Sequence, residues 1–185
     1  MNTIPETRDL RSSLYTERDA LAQQLYRVFG PGVMNLGFRY FGYDRSRAEE
    51  LVSETFARVI AGMPYFRGQS TFKTWIFRIA LNVIADWLKK ESRTTTSPLD
   101  EDPSSRGAAL DDLEQRERDQ TVRDAYAALG PNERMVLTLI ASEGLTHPEA
   151  AALLGVAEGT MWSRYARARI AFADELRKRS VTAER

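Results

Sequence analysis

Aromatic, basic and hydrogen-bonding side chains alternate along residues 66–82, over a glycine-containing loop and the helix expected after it. Aromatic rings can stack on unpaired bases, Arg and Lys can neutralise phosphates, and Asn or Gln can bond the edge of a base that has left its stack. These residue types predict a surface for melted nucleic acid. A buried amphipathic helix is the alternative, because aromatic residues at helical spacing usually belong to a core.

A second nucleic-acid signature lies near the C-terminus. Residues 146–149, Thr-His-Pro-Glu, predict a capping box with proline in the first turn, and Gly155 is placed to take a left-handed turn before a helix that opens near Glu158 or Thr160. This is helix-turn-helix spacing, and a second helix with small and basic residues near its start suits the major groove. A plain structural hairpin remains the alternative.

The elements that must position these side chains are predicted to be helical throughout. A first helix is expected from Arg18 to Phe41, either broken or split by Gly30-Pro31-Gly32. A second is expected to begin at a capping box, 46–49, and to end at 62–64. A third is expected over about 71–90. The predicted fold is all-α, with two small helical domains joined by a flexible linker.

Charge distinguishes the parts of the chain, although Lys+Arg and Asp+Glu balance at 26 each. Residues 1–90 carry 13 basic and 9 acidic groups, 91–120 carry 4 and 9, and 121–185 carry 9 and 8. The predicted domains are therefore 1–92 and 121–185, with 93–120 as an acidic flexible linker that avoids DNA. Its strongest charge cluster is Asp100-Glu101-Asp102.

Several function classes are disfavoured by composition. The chain has no cysteine and one histidine, His147, which argues against thiolate chemistry and against a metal site. No cofactor is expected. No apolar run approaches about 18 residues, so no membrane insertion is expected and the protein is placed in the cytoplasm. An enzyme would have to recruit outward-facing carboxylates such as Glu49, Glu50, Glu54 or Asp86, which lack the burial that tunes a pKa, so none is expected.

Three blocks together resemble the extracytoplasmic-function (group IV) sigma factors of the sigma-70 family. Residues 48–56 are similar to the family's region 2.1 to 2.2, residues 72–82 to its region 2.3 to 2.4, and residues 145–164 to its region 4 helix-turn-helix. The resemblance covers roughly 18–92 and 113–178. It implies a region 2 domain that docks on RNA polymerase and melts the minus-ten element, and a region 4 domain that binds the minus-thirty-five element as duplex.

The resemblance also implies roles for particular residues. The outward face of the second helix would bind core RNA polymerase through Glu50, Ser53, Glu54 and Arg58. The loop from Gly62 to Thr71 and the third helix would hold the melted non-template strand of the minus-ten element through Tyr65, Phe66, Arg67, Gln69, Lys73, Arg78, Asn82 and Lys89. The second helix of the helix-turn-helix would contact duplex through Thr160, Trp162, Ser163, Arg164 and Arg167. An anti-sigma factor is an expected partner.

This sequence departs from the family pattern at several positions. Ser53 stands where Gln is usual, Leu81 where Arg is usual, and Trp162 where a basic residue is more common. Weaker electrostatic attraction to DNA and a shifted preference for promoter sequence are expected. Trp162 could stack on sugar, contact a thymine methyl group or pack against a partner, and packing is favoured.

Two other functions remain open at this point. A stand-alone helix-turn-helix regulator would bind palindromic DNA without polymerase, and its first domain would serve dimerisation or sensing. A sigma-like adaptor would dock on polymerase without melting DNA.

Overall fold

The fold is seen in a computed structural model, which describes the backbone of residues 7–94 and 113–183 and the side chains of 18–93 and 120–179. These residues form α-helices joined by turns, and the all-α prediction is confirmed. The helices are α1 Thr7–Tyr40, α2 Arg45–Gly62, α3 Phe72–Thr94, α4 Leu113–Ala127, α5 Pro131–Leu137, α6 His147–Leu154 and α7 Glu158–Ala183. A 3-10 turn, Met63–Tyr65, follows α2, and a π-helical turn, Thr138–Ser142, follows α5.

The N-terminal module packs α1, α2 and α3 around one apolar core. Leu36 of α1, Leu51 of α2 and Ile76 of α3 are fully buried in it. Helices α1 and α2 approach closely at Gly37, where an added Cβ would lie 2.9 Å from Leu51 Cδ2 and 3.1 Å from the Cα atom of Ala48. Glycine is therefore required there by space rather than by backbone conformation.

The first helix is continuous through Pro31, so the expected break is wrong. Proline removes one backbone hydrogen bond and disfavours helical geometry in the residue before it. That preceding residue is Gly30, which has no Cβ to meet the proline ring. Leu25 and Val33 are buried in the same core on either side of the proline, and this shared packing holds both halves of the helix in line.

The start of α2 also differs from the prediction. Its N-cap is Asp44, whose carboxylate accepts a hydrogen bond from the backbone amide of Arg47 at 3.0 Å. Ser46 lies inside the first turn, so the capping box at 46–49 is wrong. An Asp carboxylate satisfies the helix-start amides as well as a serine hydroxyl does and also favours the positive end of the helix dipole. The predicted end at 62–64 is confirmed.

Both ends of the predicted linker are helical. Helix α3 runs on to Thr94, and α4 begins at Leu113, so residues 93–94 and 113–120 do not form an extended connection. Residues 113–120 are mostly Leu, Glu, Gln and Arg, which have high helix propensity. The acidic cluster Asp100-Glu101-Asp102 lies outside the described residues.

The two modules share one apolar core. Met135, Leu139 and Leu145 of the C-terminal module are buried in the same cluster as Phe77 and Leu81 of α3. Helical periodicity predicts a buried stripe on α3 that does not include Phe77 or Leu81 and consists of Phe72, Trp75, Ile76, Ile79, Ala80, Val83, Ile84 and Trp87. They are buried because α3 is covered on a second side by the C-terminal module, which the periodicity of one helix cannot show.

Hydrogen bonds also join the two modules. Asn35 Nδ2 donates to Glu143 Oε1 at 2.7 Å, and Lys73 Nζ donates to the Glu143 carbonyl. Arg134 donates to the carbonyl of Tyr40 at 2.9 Å, which is one of the unpaired carbonyls at the end of α1. Burial lowers the pKa of the Arg134 guanidinium from its ordinary value. The C-terminal module thus caps the first helix of its neighbour.

Candidate nucleic-acid interface

The loop between α2 and α3 presents one exposed aromatic ring and packs the next, which is half-buried, against α3. Tyr65 is 81 % exposed. Phe66 instead stacks on Phe72 with ring centroids 4.5 Å apart and lies 4.9 Å from the ring of Trp75. Phe66 therefore anchors the loop to α3, and Tyr65 is the loop aromatic that is open to a base.

The rest of this loop is polar and turns sharply into α3. Arg67 and Gln69 are exposed on either side of Gly68, whose φ of +69° lies in the left-handed region that favours glycine. Thr71 ends the loop, and its hydroxyl accepts a hydrogen bond from the backbone amide of Thr74 at 3.1 Å. This contact is an N-cap, so the sequence that forms the loop also fixes the start of α3.

Helix α3 carries three exposed polar residues on one face. Arg78, Asn82 and Lys89 are exposed and follow helical spacing, so a single strand lying along the helix would meet all three. Lys73, five residues before Arg78, is half-buried at the contact between the modules and donates to the carbonyl of Glu143. The structure thus places Arg78, Asn82 and Lys89 on one face of α3, whereas Lys73 points towards the C-terminal module.

The predicted polymerase-binding face of α2 divides into two parts. Glu50 and Ser53 are exposed. Glu54 accepts from Arg58 at 2.5 Å with one carboxylate oxygen and from the indole Nε1 of Trp87 at 2.8 Å with the other.

Arg58 extends this network to α3. It donates to Asp86 at 2.8 Å, and its pKa is raised chiefly by this hydrogen bond. Glu54 and Arg58 thus fasten α2 to α3, whereas Glu50 and Ser53 remain available to a partner. Sequence analysis missed Asp86 and Trp87 as the α3 side of this network.

The helix-turn-helix has the geometry that its sequence predicts. The Thr146 hydroxyl accepts from the amide of Glu149 at 3.4 Å, and the Glu149 carboxylate accepts from the amide of Thr146 at 2.9 Å, so the capping box is confirmed. The hydrogen bond from the Thr146 amide is the main reason that the pKa of Glu149 lies below its ordinary value. Gly155 ends α6 with a φ of +63°, and α7 begins at Glu158.

The outer face of α7 presents the predicted duplex contacts. Met161 and Ala168 are fully buried against the rest of the module, which fixes the rotation of the helix. The exposed residues of its first three turns include Thr160, Trp162, Ser163, Arg164 and Arg167. Basic and small polar side chains thus share one side of the helix start, as a helix entering a major groove requires.

Trp162 is not isolated on this surface. Its ring stacks on the imidazole of His147, with centroids 3.5 Å apart and planes 8° apart, while Trp162 remains 54 % exposed. The packing contact seen here is with a ring of the same module, and packing of Trp162 against a partner stays a prediction. The sequence alone contains no signal that His147 reaches α7.

A mostly apolar, half-open pocket of about 270 Å³ lies behind the loop, and it is lined by Arg18, Leu21, Met63, Pro64, Phe66 and Phe72. Across the described ranges, no three His, Asp or Glu side chains gather as a metal site. Within these ranges too, no helix is both long and apolar enough to cross a bilayer.

Comparison with known proteins decides the family. The sigma-70 region 2 model matches residues 25–94, and the sigma-70 region 4 model matches residues 119–172. The probable RNA polymerase sigma-C factor of Mycobacterium bovis is 34 % identical over 142 residues, covering 71 % of this chain and 72 % of that protein. The chain belongs to the extracytoplasmic-function sigma factors of the sigma-70 family. As a sigma factor, it directs RNA polymerase to promoters when transcription begins.

Further relatives agree with this sigma factor assignment. The sigma-H factor of Pseudomonas aeruginosa is 32 % identical over 143 residues, covering 70 % of this chain and 72 % of that protein. Among solved structures, the sigma factor RpoE bound to the anti-sigma factor NepR from Bartonella quintana matches with a TM-score of 0.65 and 25 % identity, over 84 % of this chain and 96 % of that one. CnrH bound to the cytosolic domain of CnrY matches with a TM-score of 0.60 and 25 % identity, over 86 % and 90 %.

Proposed function

We propose that the two modules of this sigma factor bind the two promoter elements separately. The N-terminal module, residues 1–92, would dock on core polymerase and hold the melted minus-ten strand. The C-terminal module, residues 121–185, would bind the minus-thirty-five duplex through α7. Linking two modest binding sites on one promoter raises the effective concentration of each for its element.

The observation that supports the minus-ten role is that the two neighbouring aromatic residues in the loop after α2 have different surroundings. Tyr65 is exposed beside Arg67 and Gln69, while Phe66 is packed against α3. A loop held rigidly at one ring can present the other ring, a cation and an amide to an unstacked base with little loss of entropy. Arg78, Asn82 and Lys89 would continue the contact along the strand, and Lys73 would join them when it is released from Glu143.

Polymerase docking is assigned to the exposed part of α2. Glu50 and Ser53 would contact the polymerase directly, since nothing in the described structure covers them. Glu54 and Arg58 would act mainly by holding α2 against α3. Neither Glu50 nor Glu54 has the setting of a general acid or base, and we infer an initiation factor with no catalytic activity of its own that works in the cytoplasm.

Control by an anti-sigma factor is proposed from the solved relatives. One of them is a co-crystal structure with an anti-sigma factor and another is a complex with the cytosolic domain of CnrY, and this chain shares their fold over most of its length. Exposed apolar side chains on α1, Tyr26 and Val28, give such a partner an apolar surface.

Promoter mapping tests the proposal. The full chain and core polymerase would transcribe a library of promoter-like DNA, and the start sites would be sequenced. A two-part element is expected upstream of the starts. Tyr65→Ala should relax preference in the downstream part only, and Arg164→Ala should weaken use of the upstream part only. Starts with no shared upstream part, or identical losses in both variants, would contradict the division of roles.

A further inference from the structure

Within the helix-turn-helix, one ring from α6 is fixed between two rings of α7. The imidazole of His147 lies face to face with Trp162, with centroids 3.5 Å apart. Tyr165, three residues further along α7, meets the same imidazole edge-on at 5.1 Å and 82°. Residues three apart on a helix are neighbours on its surface, so the imidazole fits between their side chains.

The backbone of His147 is held as firmly as its ring. It is the first residue of α6, between the N-cap Thr146 and Pro148, and Glu149 closes the capping box around it. In the part of the chain that the structure describes, the His147 Nε2 atom is buried without a hydrogen-bond partner. The contacts seen between the imidazole and α7 are ring contacts, a face-to-face stack on Trp162 and an edge-on contact with Tyr165.

This arrangement changes what position 162 can do on DNA. A Lys or Arg side chain there would reach a phosphate whatever the sequence. An indole can donate one hydrogen bond and otherwise offers an apolar surface. With one face covered by His147 and 54 % of the residue still exposed, Trp162 presents a fixed apolar edge in the second turn of α7. In the major groove the apolar feature of a base pair is the thymine methyl group.

We propose that His147 is a positioning residue that turns Trp162 into a reader of one thymine methyl group in the minus-thirty-five element. The inference rests on the proposed role of α7 in duplex binding. His147 itself does not contact the base. Its ring removes the rotamer freedom of the indole, so that the apolar contact is made at one base pair.

Uracil provides the test, because it differs from thymine only by the missing methyl group. Holoenzyme assembled from the full chain and core polymerase would be bound to a promoter found by start-site mapping. Each thymine of the upstream element would be replaced in turn by uracil, and the change in affinity measured by competition. For the unaltered protein, one replacement should weaken binding about fourfold.

Three variants separate positioning from a merely structural role. Trp162→Ala should abolish the uracil effect, and His147→Ala should reduce it below about twofold. His147→Phe should retain it, because phenylalanine preserves a stacking surface. Thermal unfolding of each variant checks that the module is folded, and base preferences in the minus-ten element should be unchanged in all three.

The outcomes distinguish this inference from the function on which it rests. If scrambling the whole upstream element leaves binding unchanged, α7 does not read duplex, and both ideas are wrong. If the element is required but no thymine shows a uracil effect, methyl reading is overturned. If the effect survives in folded His147→Ala protein, Trp162 needs no positioning by His147.

Discussion

Replacing Gly32 with Ala tests the contact between the two modules through a single methyl group. An added Cβ would lie 2.5 Å from Glu143 Oε2 and 3.1 Å from Phe77 Cζ, whereas ordinary contact begins at 3.4 Å. The Glu143 carboxylate would have to move by about 1 Å. That movement would break the 2.7 Å hydrogen bond from Asn35.

The expected magnitude follows from two opposing effects. Losing a hydrogen bond to a charged group costs about 1.5 kcal/mol at the low end of the usual range, which suits a group that is only part-buried. Replacing glycine by alanine inside a helix contributes about 1 kcal/mol of stability. Gly32→Ala should therefore destabilise the protein by about 0.5 kcal/mol. In a Glu143→Ala background the clash with the carboxylate and the hydrogen bond are both absent, while the 3.1 Å approach to Phe77 Cζ remains, so the same change should be more favourable there by about 1.5 kcal/mol.

A double-mutant cycle measures the difference directly. Urea unfolding of the unaltered chain, Gly32→Ala, Glu143→Ala and the double variant should give a coupling energy of about 1.5 kcal/mol between positions 32 and 143. Gly37→Ala is the control in the same helix. Its added Cβ would approach the Cα atom of Ala48 at 3.1 Å, so Glu143→Ala should not relieve it. Coupling below about 0.5 kcal/mol at position 32 would mean that the modules do not meet in this way.

Other expectations concern the capping box, the loop and the α2–α3 contact. Because its folded pKa is lowered, the Glu149 charge contributes stability above the ordinary glutamate pKa of 4.5, and this contribution is lost as pH falls through the lower folded value. The stability difference between the unaltered protein and Glu149→Gln, measured by urea unfolding, should therefore shrink at acid pH, and a constant difference would refute the assignment. Phe66→Ala should lower the free energy of unfolding by about 3 kcal/mol, whereas Tyr65→Ala should leave it unchanged and weaken binding of minus-ten single strand. Equal effects of these two changes on stability would contradict the packing of the loop. Glu54→Ala should cost about 1–3 kcal/mol of stability by leaving the Trp87 indole donor unpaired, and a neutral result by thermal unfolding would contradict that contact.

Local signals predicted much of this fold because their causes are local. The capping box at 146–149, the left-handed Gly155 and the end of α2 at 62–64 each depend on residues adjacent in sequence. The start of α7 near Glu158 follows from the same signals. Helical periodicity likewise predicts a buried face on α2 formed by Ala48, Leu51, Val52, Thr55, Phe56, Val59 and Ile60, and all of these are buried except Ile60, which is 47 % exposed at the helix end.

The features that the sequence did not predict depend on packing between segments that are far apart in the chain. Pro31 is accommodated in α1 because both flanking halves are buried in one core, which no local propensity records. Phe77 and Leu81 are buried by a module more than fifty residues further along the chain. Leu81 stands where arginine is usual in the family, and an arginine there would have to bring its charge into this apolar core.

The residue types of the candidate site could be predicted from the sequence, but the role of each residue could not. Tyr65 and Phe66 are adjacent aromatic residues, and only the position of the Phe72 and Trp75 rings decides which of the two is exposed. His147 gave no signal of its role, because its contact with Trp162 crosses the helix-turn-helix.

The division of the promoter between the two modules is tested most directly by photo-crosslinking in the assembled holoenzyme. A benzoyl-phenylalanine would replace Tyr65 in one protein and Arg164 in another, and the crosslinked nucleotides would be mapped on an active promoter. Crosslinks from position 65 to the melted non-template strand of the minus-ten element, and from position 164 to the minus-thirty-five duplex, are expected. Crosslinks from both positions to one element, or from position 65 only to duplex DNA, would contradict the division.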